Sequence, residues 1–149
     1  MTIDPSLRRP AAISLAVYGV LTAVVGFFPT PVDRGATPLI RSVLAALHRG
    51  GVPEWFGYHF VEFSANVALF VPLGVLAVFT VGRRWAWLAV FAGAAVSLVI
   101  EAGQWLLLPE RFPSGLDVLA NTIGTVVGAV LGYVVLVLRD PRATARPRL

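Results

Sequence analysis

The stretch that decides the fold is 116-LDVLANTIGTVVGAVLGYVVLVL-138, in which Asp117 is the single charged residue. A helix crossing a hydrocarbon core needs about 20 mostly apolar residues, and this stretch is long enough. Asp117, Asn121, Gly124, Gly128 and Gly132 follow one another at offsets of 4, 3, 4 and 4. They therefore share one helix face. Two overlapping GxxxG motifs lie directly beneath an acid–amide pair. That pattern suits a face packed against another helix, because small residues let backbones approach and lipid cannot satisfy the polar pair.

Working outward, three more stretches qualify as spans: about 11–28, 60–81 and 86–108. The whole chain agrees with them. Of 149 residues, 57% are hydrophobic and 13% charged, about half the roughly 25% charge of a soluble domain, and the mean hydropathy is +0.79. Disorder is excluded and a soluble globule disfavoured. There is no cysteine, so disulfides, thiolate metal sites and cysteine nucleophiles are excluded. The expected fold is an all-α integral membrane bundle of four transmembrane helices, one domain over residues 1–149. The first span has Arg8 and Arg9 before it. Its length and its exit through Pro29-Thr30-Pro31 read as a retained helix rather than a cleaved signal.

All 12 basic residues are arginine, against 8 acids, for a net charge of +4. With the N-terminus in the cytoplasm, Arg8, Arg9, Arg83, Arg84, Arg139, Arg142, Arg146 and Arg148 fall inside, and Arg34, Arg41, Arg49 and Arg111 outside. The positive-inside bias then predicts both termini cytoplasmic, with an Arg-rich tail over 139–149 near anionic lipid. The arginines mark helix ends rather than one basic face, which argues for a lipid bilayer as partner and against nucleic acid.

The first outer loop carries a short amphipathic helix over about 38–49. Thr37-Pro38 suits its start, and Leu39, Ile40, Val43, Leu44 and Leu47 recur at helical spacing before the stop at Gly50-Gly51. Trp55, Phe56 and Tyr58 follow as an interfacial aromatic cluster. His48 reads as a surface residue of that helix. The helix either covers the loop or acts as a lid.

The spans carry three carboxylates where a bilayer disfavours them. Glu62 and Asn66 are i,i+4, Glu101 and Gln104 are i,i+3, and Asp117 and Asn121 are i,i+4. Each spacing puts acid and amide on one face. With the expected orientation all three pairs lie in the outer third of the bilayer, Glu101 roughly 10 Å below its helix end at about 1.5 Å per residue. Arg111 and His59 flank them in the outer loops. In span three, Ala89, Gly93, Ser97 and Glu101 also recur every four residues, so Gly93, Ser97, Gly124, Gly128 and Gly132 are the expected packing positions. Glu62-Phe-Ser-Ala-Asn66 parallels Asp117-Val-Leu-Ala-Asn121 at an offset of 55, a short internal repeat. Structural readings stand beside the functional one: Ser114 and Asp117 as a helix cap, Asn66 and Asn121 as interhelical glue, Pro72 as a kink.

Glu101-Ala-Gly-Gln104, then Arg111, Ser114, Asp117 and Asn121-Thr-Ile-Gly124 with Gly128, resembles the signature of the VanZ-like family. Asn66-Val-Ala-Leu-Phe-Val-Pro72-Leu-Gly74 resembles that family's other hallmark. The resemblance runs from about Glu62 to Tyr133. It implies a small integral membrane protein of the cell envelope. The family's founding member is associated with low-level resistance to teicoplanin, a lipid-tailed glycopeptide. The chain departs from the pattern in its long first outer loop and in Phe112-Pro113-Ser114-Gly115-Leu116 before the aspartate.

The resulting expectation is a non-enzymatic protein that binds a lipid-linked or lipophilic envelope molecule, such as a lipoglycopeptide or wall precursor. The binding site is an outward-facing cluster of Glu62, Asn66, Glu101, Gln104, Arg111, Asp117 and Asn121. Resistance to glycopeptide antibiotics would follow from that binding. No cofactor and no metal motif is indicated. One alternative is a membrane-embedded enzyme acting on an envelope lipid through the Glu/Asp cluster. Another is a lipid transporter or flippase, for which four helices point to a homodimer.

Overall fold

A computed structural model describes residues 5–28, 35, 37–108 and 114–140. The described residues form five α-helices and one short 3₁₀ turn: α1 (Pro5–Gly26), α2 (Thr37–Arg49), α3 (Tyr58–Val81), the turn Arg83–Trp85, α4 (Ala86–Leu107) and α5 (Gly115–Leu138). All except α2 are long and apolar enough to cross a membrane. The expected all-α bundle of four spans with a short extra helix is what is found.

The boundaries shift most in α1, which begins at Pro5 rather than near residue 11 and passes through Pro10. Pro10 is the sixth residue of α1, so its missing N–H takes one i→i−4 bond from the ladder, a loss confined to the end of the helix. The α2 helix ends where Gly51 takes φ 97°. Its N–H bonds His48 O and the next N–H, that of Val52, bonds Leu47 O, at 3.0 and 3.1 Å, a Schellman stop. Between α3 and α4 the chain reverses through Gly82, whose φ of 89° is strained for any residue with a Cβ.

The α3 and α5 helices form the central pair. Both start at the end where α2 lies, so they run parallel. Their contact is backbone on backbone. The carbonyl of Val67 occupies the place a Cβ on Gly124 would take, and the carbonyl of Val71 does the same at Gly128. Across the seam, a Cβ on Gly74 would meet the Gly128 Cα at 3.0 Å, and one on Gly132 would meet Val75 Cα at 3.3 Å. The residues facing each other are separated in sequence by a nearly constant interval close to the repeat offset, so the two copies of the motif lie side by side.

The α4 helix packs on α5 through Gly93, whose missing side chain is replaced by that of Thr125. Ala89 joins the buried cluster with Val78 and Ala129. The α1 helix lies against α3, where Leu15 and Tyr18 pack on Phe70, Leu73 and Ile100. Tyr18 also donates to the Leu69 carbonyl at 3.1 Å, in the turn before Pro72.

The outer surface of the bundle is apolar. Val17, Val20, Val24, Phe91, Val99 and Leu106 are each more than half exposed. Such a continuous surface is foreign to soluble monomers and suits hydrocarbon. At the end away from α2, Arg83 donates to Asp140 at 3.2 Å and Arg84 lies over Trp85, 5.4 Å from the ring centroid. Exposed Trp85 and Trp87 sit at the same end, as interfacial anchors do.

Candidate functional site

The first turn of α5 sets the site's geometry. Ser114 caps the helix, its hydroxyl accepting from the Asp117 N–H at 3.3 Å. In a capping box the acid at the third helical position reaches back to the cap's own N–H. Asp117 occupies that third position, but the bond is made from another helix: the Ser114 N–H donates to Glu101 Oε2 at 2.7 Å. Glu101 is only 7% exposed, and this bond places its carboxyl group at the positive end of the α5 dipole. Asp117 is thereby turned sideways, and its Oδ1 accepts from Asn66 Nδ2 of α3 at 2.9 Å.

The other amides also act across helices. Gln104 Nε2 on α4 donates to the carbonyl of Gly26 at 2.7 Å, tying α4 to the end of α1. Asn121 Nδ2 donates to Ser97 Oγ of α4 at 2.9 Å. The i,i+4 and i,i+3 spacings do place acid and amide on common faces. The bonds formed run between helices because small neighbours bring those faces within reach of short side chains.

These groups surround one cavity of about 290 Å³. Six of the seven residues expected in the cluster line it: Glu62, Asn66, Glu101, Gln104, Asp117 and Asn121. Glu62 is half-exposed, and its carboxylate lies 3.6 Å from His59 Nδ1. The remaining wall is mostly apolar and includes Val25, Leu69, Phe70 and Ile100. Asn121 is 6% exposed, and its Oδ1 is the one buried side-chain polar atom without a hydrogen-bond partner among the described residues. Arg111, expected as the seventh member, lies outside the described residues, as does Glu110.

The α2 helix covers this end. Ile40 lines the cavity and Leu44 is buried, while Leu39, Val43 and Leu47 remain exposed, the division expected of a helix lying in an interface. His48 is not the free surface residue expected. Its Nε2 lies 3.1 Å from the Phe56 carbonyl and its Nδ1 3.5 Å from Glu54, which staples the end of α2 to the loop that follows.

Sequence reasoning missed several contributors. Thr22 and Tyr58 line the cavity beside Ile40. Thr22 is buried and donates to the Tyr18 carbonyl at 2.9 Å. The available signal was the four-residue spacing of Tyr18 and Thr22 in an otherwise largely apolar span. No group of three or more His, Asp or Glu side chains among the described residues is close enough together to hold a metal ion. Glu62, Glu101 and Asp117 all line the one cavity.

No curated protein and no solved structure matches the chain. The family model described as VanZ/LLP1 matches residues 15–137, well over half of the chain and all of the residues that line the cavity. The chain is a membrane protein of the VanZ-like family.

Proposed function

We propose that this protein sits in the plasma membrane with both termini in the cytoplasm. Its cavity opens outward and holds part of a lipid-linked or lipophilic cell-envelope molecule. The observation that carries the reading is the convergence of six acid and amide side chains from three helices on a single cavity beneath α2. Buried polar groups in a span belong to a protein-lined or wet cavity rather than to lipid. A largely apolar wall with a few polar groups is the usual make-up of a small-molecule site.

The orientation rests on arginine placement. Arg8, Arg9, Arg83, Arg84 and Arg139 lie at the end away from α2, and Arg41 and Arg49 on α2, which favours the first end as cytoplasmic. The volume of about 290 Å³ is at the lower edge of the roughly 300–1,000 Å³ of ligand pockets. It suits a headgroup or a length of tail, not a whole lipoglycopeptide or wall precursor. Engaging that part of an envelope molecule would be the route to teicoplanin-type resistance.

Glu101→Gln provides the test. The glutamine oxygen can still accept from the Ser114 N–H, so the helix cap survives while the charge is lost. The expected result is a changed lipoglycopeptide susceptibility and less co-purified lipid at unchanged membrane insertion. Wild-type values for both would refute the reading.

A further inference from the structure

The α1 helix changes partner along its length. Its middle turns pack on α3, where Leu15 and Tyr18 meet the cluster built on Phe70 and Leu73 and the Tyr18 hydroxyl donates to the Leu69 carbonyl. Its last turn belongs to α4 instead. Gln104 donates to the Gly26 carbonyl, a Cβ on Gly26 would meet Ile100 at 2.9 Å, and the Phe27 ring fills the place of a Cβ on Gly103. The α1 helix thus leans away from α3 towards the end where α2 lies. The cavity occupies the wedge between them, lined by Thr22 and Val25 from α1 and by Val61 and Ala65 from α3.

The wedge is closed at both ends but not at its side. The Tyr18–Leu69 bond shuts it below, and Ile40 of α2 lines it above. The exposed members of its lining are Val25, Glu62 and Ala65, all on the two helices that diverge. Every lining residue of α4 and α5 is buried or half-buried. Ala65 lies seven residues beyond the start of α3, roughly 10 Å down at about 1.5 Å per residue. In a bilayer core about 30 Å thick, that depth meets hydrocarbon. The edges of the opening suit it, since Val25 and Ala65 are apolar and Glu62 stands at the corner nearer the helix end. The acid and amide groups of Asn66, Glu101, Gln104 and Asp117 lie within.

We infer that the cavity is entered from the bilayer, through this window between α1 and α3. Its ligand is an amphiphile that puts its polar end among the acid and amide groups and leaves its hydrocarbon chain in the window and the surrounding lipid. The cavity volume of about 290 Å³, at the lower edge of ligand pockets, suits a polar end whose chain stays outside. This rests on the cavity being a ligand site, as proposed above, and assigns the route of entry and the build of the molecule that takes it.

The test uses the full chain in phosphatidylcholine nanodiscs and two light-activated probes. Both carry the same end, a hydroxyl group with a diazirine beside it. A hexadecyl chain confines the first to the bilayer, and a short sulfonate tail keeps the second in water. Adducts are mapped by peptide mass spectrometry. The expected result is saturable labelling of Asn66 and Asp117 by the hexadecyl probe and none by the sulfonate probe. Val25→Trp or, from the opposite edge, Ala65→Trp should abolish that labelling. Val24→Trp should leave it unchanged, because Val24 is 56% exposed and lies off the cavity.

Labelling of Asn66 and Asp117 by the sulfonate probe at an equal or higher level would overturn the inference. The cavity would then be reached from water, and the binding-site reading would stand. Labelling that survives in either folded window variant, or that Val24→Trp also removes, would overturn the window and again leave the site. If neither probe labels the wild-type cavity, both readings fall.

Discussion

Near α2, the α3 and α5 helices meet through Asn66 and Asp117, with the cavity beside them. Further along, the same two helices meet through Gly74, Gly124, Gly128 and Gly132, and none of these lines the cavity. Both regions lie on one continuous stripe of α5 that starts at Asp117 and Asn121. Residue size along this one helix face therefore sets what the face does. Glycine closes the seam to backbone contact. Carboxylates and amides leave a gap, and they are stable beside it because they bond to neighbouring helices. One half of the contact holds the bundle together, and the other half holds it open.

Breaking the closed half should have the largest effect. Gly128→Leu drives a side chain into the Val71 carbonyl and is expected to prevent folding. Gly128→Ala should cost about 1–3 kcal/mol, read from unfolding in detergent. A Cβ on Gly19 meets nothing within 4 Å, so Gly19→Ala should leave stability unchanged or raise it by a few tenths of a kcal/mol, up to about 1. Equal effects at the two glycines would contradict the packing described.

The open half should be softer. A double-mutant cycle on Asn66→Ala and Asp117→Ala is expected to give a coupling between about 0.6 and 1.7 kcal/mol, the mean and the maximum for hydrogen bonds between membrane helices. A coupling near zero would mean that the bond of 2.9 Å does not stabilise the bundle. At Glu101 the split between variants matters more than either value. Glu101→Ala removes the acceptor for the Ser114 N–H and should cost about 1–3 kcal/mol. Glu101→Gln should stay within about 1 kcal/mol of wild type, because an oxygen remains to accept that bond. If the alanine variant is as stable as the glutamine variant, the carboxylate is not the cap of α5.

The smallest effect is expected at the far end. Arg83→Ala breaks the link to Asp140, in which Asp140 is buried but the arginine is about one-third exposed, so solvent screens the pair from the arginine side. It should cost about 1 kcal/mol or less and leave lipoglycopeptide susceptibility at the wild-type level. Susceptibility lost with Arg83 would place function away from the cavity.

Much of this was legible in the sequence for a physical reason. A bilayer imposes span length and excludes charge, so four spans and three misplaced carboxylates stand out directly. The glycine stripe marks the seam because close approach permits so few side chains. The bonding pattern was not legible. Asn66 and Asp117 are 51 residues apart, and helical spacing speaks only for neighbours on one helix. The spacing of Ser114 and Asp117 announced a cap, but it did not reveal that Glu101 would supply the reciprocal bond. The His48 staple and the Arg83–Asp140 link likewise join loops and helix ends whose approach no local pattern encodes. The first span is expected from about residue 11, whereas α1 begins at Pro5 and passes through Pro10.

The most direct measurement is native mass spectrometry of the full chain extracted from its own membrane, wild type beside Ala65→Phe, with thermal unfolding of both. The expected result is a defined amphiphile bound to wild type and absent from the variant, at similar melting temperatures. The same bound species in both, or none in wild type, would mean that the polar cavity is a packing feature and not a binding site.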